Sequence, residues 1–246
     1  EGSSLTAKQT EELAELSTRV NQLCALAAHH KVKILIDAEE TWIQQAIDEL
    51  VVANMREFNH EQVIVYNTIQ LYRTGRIAEI QRQIKAARAG GYKLGFKLVR
   101  GAYMEKERLR AAEKGYVSPI QVSKENTDSD YDEALRLCFE NRDVVSVMAG
   151  THNEASSYLL AQLIADAQLD KTDDRFWFAQ LYGMSDHISF NLAHAGYNVA
   201  KYLPYGPVKE VLPYLSRRAQ ENSSVKGQAG RELSLIITEI KRRKLA

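Results

Sequence analysis

Apolar positions recur along this chain in two alternating rhythms. Leu13, Leu16, Val20, Leu23 and Leu26 fall three and four apart, which predicts a helix from about residue 5 to 30. Residues 32–38 are β-rich and end in an acid, Asp37. Trp42, Ile43, Ile47 and Leu50 then restore the helical spacing. The exchange repeats: a strand over 63–67, a helix to about 89 stopped by Gly90-Gly91, a strand over 93–99 and a charged helix. A polar stretch from about 115 to 129 reads as a loop, and helix resumes to about 141. Further strands are expected over 144–149, 175–181 and 198–202. Helices over about 208–222 and 228–244 close the chain.

About six strands, each followed by a helix, imply a parallel sheet, either closed as a barrel or open and doubly wound. The polar residues gather at strand ends: Asp37, Asn67, Lys97 with Arg100, Thr151 with His152, Gln180 and Tyr202. A barrel brings such ends to one mouth, whereas an open sheet converges them less well. The expected division is an N-terminal helical segment over 1–30 and a barrel over 31–246.

Composition narrows the function. With 246 residues and 45% apolar content, a sizeable core is possible. The 32 basic and 32 acidic residues cancel, which removes the charge excess that nonspecific nucleic-acid binding needs. The basic run 241–244 fits the negative end of a helix. Cys24 and Cys138 lie far apart and outside any Cys-x-x-Cys pair, which fits a reducing compartment. No apolar run approaches the roughly 20 residues of a membrane span, and no signal-peptide pattern is visible. The opening Glu1-Gly2-Ser3-Ser4 does not resemble an initiation site, so a processed chain or part of a longer one is expected. No Gly-x-Gly-x-x-Gly follows a strand, and neither a P-loop nor a Gly-x-Ser-x-Gly elbow occurs. His29, His30, His60, His187 and His194 form no recognisable metal set, and no metal is assigned.

The richest chemistry lies near the C-terminus. In a helix, Tyr214, Arg217, Arg218 and Glu221 share one face. Two guanidiniums and a carboxylate suit a small ligand carrying a carboxylate and an amine, because arginine grips carboxylate in a planar fork. Upstream, Lys97 and Arg100 put two cations at a strand end, with Gly101 and Ala102 leaving room for a ligand. A structural salt bridge from this segment to Asp37 is the competing explanation. Thr151-His152-Asn153 places three polar residues at another strand exit, where His152 is either a ligand contact or a structural histidine.

Taken in order, Ile36-Asp37-Ala38-Glu39, Tyr66-Asn67-Thr68, Lys97-Leu98-Val99-Arg100-Gly101-Ala102-Tyr103, Thr151-His152-Asn153, Gln180-Leu181-Tyr182-Gly183-Met184, Tyr202-Leu203-Pro204-Tyr205-Gly206 and the segment 214–224 resemble the proline dehydrogenase family, in its monofunctional, animal-like branch. The resemblance implies a distorted (β/α)8 barrel of TIM type that binds FAD and oxidises L-proline to Δ1-pyrroline-5-carboxylate, the first step of proline catabolism. Proline would set its carboxylate on Arg217 and Arg218, with Glu221 holding those arginines. Tyr214, Tyr202, Leu181 and Ala102 would enclose the ring, and Tyr214 would crowd a ring hydroxyl, favouring proline over hydroxyproline. FAD would be held by Ala38, Asn67, Val99, Arg100, Gly101 and Ala102 from one side. Thr151, His152, Asn153, Gln180 and Glu221 would hold it from the other. Lys97 would approach the flavin N5, and Asp37 would orient the substrate-side cation.

The same resemblance implies that electrons pass to a membrane quinone, with transient membrane contact. It places the protein on the matrix side of the mitochondrial inner membrane, or in a bacterial cytoplasm with peripheral membrane association. Proline should react as the neutral amine, so rate should rise with pH. Two features depart from the family. Many relatives have Arg where this chain has Lys97. The family barrel has eight strands and about six are legible here, the first two being absent before Val32. Another segment or another chain is therefore expected to complete the barrel. The rival readings are a flavin barrel acting on another amine or a folate, a non-catalytic barrel fragment, and an aldolase-type barrel, for which no Schiff-base lysine is evident.

Overall fold

The computed structural model describes residues 5–224 and 228–243, and side chains over 5–216 and 233–243. The elements are α1 (Ala7–His30), β1 (Ile34–Ile36), α2 (Thr41–Phe58), β2 (Val65–Gln70), α3 (Arg76–Gly90), β3 (Leu94–Val99), α4 (Met104–Lys114), α5 (Lys124–Glu140), β4 (Val145–Gly150), α6 (Glu154–Asp166), β5 (Phe176–Leu181), α7 (Asp186–His194), β6 (Val199–Tyr202), α8 (Val208–Ser224) and α9 (Gln228–Arg242). All six strands are parallel and pair in chain order, β1 to β6.

A salt bridge measures the curl of this sheet. Lys33, just before β1, meets Asp174, just before β5, at 2.6 Å. In a flat sheet those strands would lie roughly 19 Å apart, four steps of about 4.8 Å. Lys33 also sits 5.4 Å from the centre of the Trp177 ring. The six strands therefore bend round like most of a barrel wall.

Strand alternation divides the wall into two faces. Val65, Ile69, Leu94, Phe96, Leu98, Val145, Val147, Phe176 and Phe178 are buried in one core cluster with Ile80 and Ile84 of α3, Leu135 of α5 and Leu160 of α6. The core thus lies between sheet and helices. The opposite, inner face carries Tyr66, Thr68, Gly95, Lys97, Ser146 and Met148 at successive strands. Helix α1 joins the same core through Cys24, with Val20, Ala27 and Ala28 packed beside it. Burial pushes the Cys24 thiol up to about 11, which leaves it an unreactive packing residue.

Two boundaries differ from the sequence expectation, with consequences for the site. β2 runs to Gln70 rather than ending near Asn67, because Ile69 and Gln70 continue the ladder to Leu98 and Val99. The expected loop over 115–129 ends at Ser123. That side chain caps α5 by accepting the Asn126 N–H, so the polar residues 124–129 are helical.

Candidate functional site

The C-terminal strand ends converge. Asp37 follows β1 and pairs with Lys97 of β3 across the intervening β2. Thr68 of β2 sits between them, donating to the Ile36 carbonyl at 2.8 Å and lying 3.5 Å from Asp37 Oδ1. The Lys97 side chain is 18% exposed and that of Asp37 58%, so the cation is fixed below while the carboxylate faces the mouth. The anticipated salt bridge to Asp37 is present, and it joins two strand ends at the mouth.

The turn after β3 depends on glycine. Gly101 has φ +144°, and a Cβ there would lie 2.3 Å from the Tyr72 ring. Arg100, immediately before it, is held three ways: Nε donates to Asp128 at 2.6 Å, Nη1 to Thr151 at 2.7 Å and Nη2 to Ser156 at 3.1 Å. The guanidinium also lies 4.4 Å from the centre of the buried Tyr131 ring. Burial alone would raise the Asp128 carboxyl, but hydrogen bonds from Lys124 and Arg100 outweigh it and hold the group below its ordinary range. Arg100 therefore fixes the β3 turn to α5 and to the exit of β4.

Around that exit, Thr151 is buried and Asn153 caps α6 by accepting the Ser156 N–H at 3.1 Å. His152 Nδ1 lies 3.0 Å from Ser185 Oγ. Farther round, Leu181 pairs with Tyr202 in register, and the Tyr202 and Tyr214 rings lie 5.5 Å apart. These three make an apolar corner, while Ala102 is exposed on the β3–α4 turn. Helix α8 runs through Arg217, Arg218 and Glu221, so the expected helical spacing holds in its backbone. Their side chains lie outside the described residues.

Two expected cofactor contacts are turned elsewhere. Asn67 is fully buried and donates to Asp48 of α2 at 2.8 Å. The extension of β2 makes it a mid-strand residue on the helix side. Gln180 is 2% exposed, donating to the Thr151 carbonyl at 3.1 Å and accepting from Ser189 of α7 at 2.8 Å. It too faces the helices and serves as a brace.

The same shift of β2 brings forward Gln70, which sequence reasoning missed. It ends the strand on the inner face, two residues beyond Thr68. Its Nε2 donates to the Glu39 carbonyl at 2.9 Å, while its buried Oε1 has no partner among the described residues. Extending the alternation from Tyr66 through Thr68 would have found it.

With this geometry in view, comparison with known proteins is informative. The proline dehydrogenase family profile matches residues 2–231. "Proline dehydrogenase 1, mitochondrial" of Caenorhabditis elegans is 40% identical over 244 residues, covering 97% of this chain and 40% of the relative. The human protein of that name is 40% identical, covering 98% and 41%. Hydroxyproline dehydrogenase of Xenopus laevis is 39% identical, covering 94% and 51%. The chain thus spans about two-fifths to one-half of the length of these relatives. Among solved structures, proline utilization A from Bdellovibrio bacteriovorus superposes with TM-score 0.80 at 23% identity, over 88% of this chain and 22% of that one. A Bradyrhizobium japonicum proline utilization A gives 0.77 at 26% identity, with the same coverage. The profile match over nearly the whole length, on a curled parallel β/α wall, means that the chain belongs to the proline dehydrogenase family.

Proposed function

We propose that this chain forms the flavin- and substrate-facing part of an enzyme that oxidises L-proline to Δ1-pyrroline-5-carboxylate. The observation that carries the reading is the Asp37–Lys97 pair, which joins two C-terminal strand ends across β2.

The residues fit a flavin. The half-buried Lys97 offers a donor and Gln70 Oε1, unpaired among the described residues, an acceptor, and a flavin ring edge presents both kinds of group. Gly101 keeps the adjacent turn free of a side chain where Tyr72 closes in. Lys97, Val99, Gly101, Ala102, Arg100, Thr151, His152 and Ala38 are the residues we assign to holding FAD, with Glu221 from α8. Asn153, assigned alongside them, contributes through its cap on α6. When bound, FAD would supply a two-electron acceptor for the hydride that proline gives up from Cδ.

The chain's own groups do the rest. Lys97 would direct its ammonium N–H at the flavin edge, where negative charge grows on reduction. Asp37 orients Lys97 and the substrate-side cation. Arg217 and Arg218 would clamp the substrate carboxylate in bidentate fashion, with Glu221 ordering them. Leu181, Tyr202, Tyr214 and Ala102 would exclude water from the ring. The amine must give up its proton before its lone pair can assist, so reduction should speed up as pH rises. A flat profile at saturating proline would count against that step.

Electrons would leave to a quinone. The three relatives of the proline dehydrogenase 1 type from worm, fly and human are named mitochondrial. The compartment we propose is one with a quinone-bearing membrane: the matrix side of the mitochondrial inner membrane, or a bacterial cytoplasm with peripheral attachment. No helix among the described residues is long and apolar enough to cross a membrane. Among the described residues β1 and β6 are each paired on one side only, and further strands would close the barrel there.

The test is the visible spectrum of the purified, FAD-reconstituted protein before and after anaerobic L-proline. Oxidised-flavin bands that bleach support the reading. Bands that persist with proline move the substrate elsewhere. Parallel addition of hydroxyproline measures the preference at Tyr214.

A further inference from the structure

Helix α4 buries a carboxylate that the chemistry above does not use. Glu107 is fully buried, and it accepts two hydrogen bonds from one residue of another helix: Thr41 N–H at 2.6 Å and Thr41 Oγ1 at 2.7 Å. An ionised carboxylate is costly to bury unless charge-assisted bonds and countercharge compensate. Both are present. Thr41 opens α2, so its N–H is one of the amides a helix start leaves unpaired, and the positive end of the helix favours an anion. Arg73 is the nearby cation: Asp48 and Glu107 both act on its guanidinium through their charge, and its buried Nε has no hydrogen-bond partner among the described residues.

A local residue normally caps a helix. Here the N-cap is Glu40, and its side chain makes no capping bond because it is turned to Lys106 of α4. Neighbouring residues of α4 thus grip the start of α2 at two successive positions. What they grip matters. The link from β1 to α2 is residues 37–40, whose first member is Asp37. The next residues are tied as well: Glu39 N–H donates to Gln44 Oε1 at 2.7 Å, and the Glu39 carbonyl accepts from Gln70 at 2.9 Å. Helix α4 itself begins directly after the turn that carries Arg100 and Gly101. One helix therefore joins the Asp37 turn to the turn that follows Lys97.

We propose that Glu107 is a positioning residue. Through Thr41 it sets where the Asp37 turn stands relative to Lys97, and so keeps the pair in register at the mouth. The kinetic part of this inference rests on the proposed proline oxidation; the structural part does not.

The experiment compares Glu107→Ala, Glu107→Gln and Thr41→Val in the FAD-loaded protein by amide hydrogen exchange and by stopped-flow flavin reduction with proline. Losing a charge-assisted bond is worth about tenfold or more, so Glu107→Ala should speed exchange over residues 37–44 about tenfold and leave residues 145–150 of β4 unchanged. The limiting reduction rate should fall by about the same factor at unchanged FAD content. Glu107→Gln, which keeps an acceptor for the Thr41 N–H, should recover most of both. Unchanged exchange over 37–44, or an equal rise everywhere, overturns the proposal. Local loosening with a wild-type reduction rate also overturns it, leaving a simple cap. If Glu107→Ala does not fold, Thr41→Val removes one of the two bonds and should show the same local loosening at smaller size; its absence is equally fatal. If the parent protein is not reduced by proline, the functional reading fails separately, and exchange over 37–44 alone decides.

Discussion

Among the described residues Lys97 makes one ion pair, to Asp37, whereas Arg100 is held by three partners. Replacing Lys97 by Met keeps its length and removes the charge. Loss of one preorganised donor at a developing charge typically costs about a hundredfold, so flavin reduction by proline should slow by about that factor. FAD content should change little, since Arg100 and its three partners remain. Stopped-flow reduction at saturating proline measures this, and a rate within threefold of wild type would remove Lys97 from the chemistry. On the apolar side, Tyr214→Ala should open the corner against Tyr202 and raise the hydroxyproline-to-proline ratio of kcat/KM; an unchanged ratio would mean that Tyr214 does not crowd the ring. Asp37, Lys97, Arg100 and Thr151, whose polarity breaks an apolar run near its end, do gather at the C-terminal strand ends. Asn67 and Gln180 break such runs too, yet both are buried toward the helices. Polarity at a strand end does not say which face it is on; only the register does, and register is set by the neighbouring strand. Glu107 was illegible for a different reason. A carboxylate in a charged helix looks solvated until its partner, 66 residues earlier in sequence, is known.

At the level of elements, the turns and tight strand crossings depend on glycine. Gly95 of β3 lies against Tyr66 of β2, and a Cβ there would come within 2.7 Å of the Tyr66 ring and 2.6 Å of the Val65 carbonyl. The backbone carbonyl cannot move aside, so Gly95→Ala should destabilise by about 1–3 kcal/mol, as overpacked cores do. Urea unfolding followed by circular dichroism measures this, and an unchanged midpoint would show that the strand can shift. The Arg100–Asp128 link gives a pH dependence with a definite sign. The Asp128 carboxyl is held below its ordinary value of 3.8, so it stays ionised in the folded protein after it would protonate in the unfolded chain. Its contribution is therefore complete above that ordinary value and disappears as pH falls through the lower, folded one. Between pH 5 and about 3, wild type should lose more stability than Asp128→Asn; parallel curves would deny the link. The helix–strand alternation was legible because each element repeats its own period over several residues. The α5 start was misplaced because residues 124–129 are polar throughout, and the cap at Ser123 rather than any apolar rhythm begins that helix.

Over the whole molecule, the curl gathers the site and leaves the sheet with two ends. β1 is three residues long and only partly buried along its length, and β6 ends in an exposed Tyr202, whereas β2 is buried throughout. Interior strands β3 and β4 are hydrogen-bonded on both sides; β1 and β6 are bonded on one, among the described residues. An unpaired edge is both less protected and open to association. The 246-residue chain studied alone should therefore show graded protection. Amides of residues 34–36 and 199–202 should exchange at least about a hundredfold faster than those of β3 and β4, because edges open locally while the centre opens only with global unfolding. The same edges flank the site: Asp37 lies one residue beyond β1, and Tyr202 is the last residue of β6. Loose edges should thus weaken FAD retention before they unfold the core, and added strands that pair with β1 and β6 should slow their exchange and tighten FAD binding together. Uniform protection across all six strands, with tight FAD binding and full proline turnover by a monomer of this chain, would mean that the curled wall is sufficient by itself. Protection graded as expected, but with FAD affinity unmoved when the edges are paired, would separate the site from the barrel's closure and place the burden of flavin binding on Arg100 and the interior strands alone.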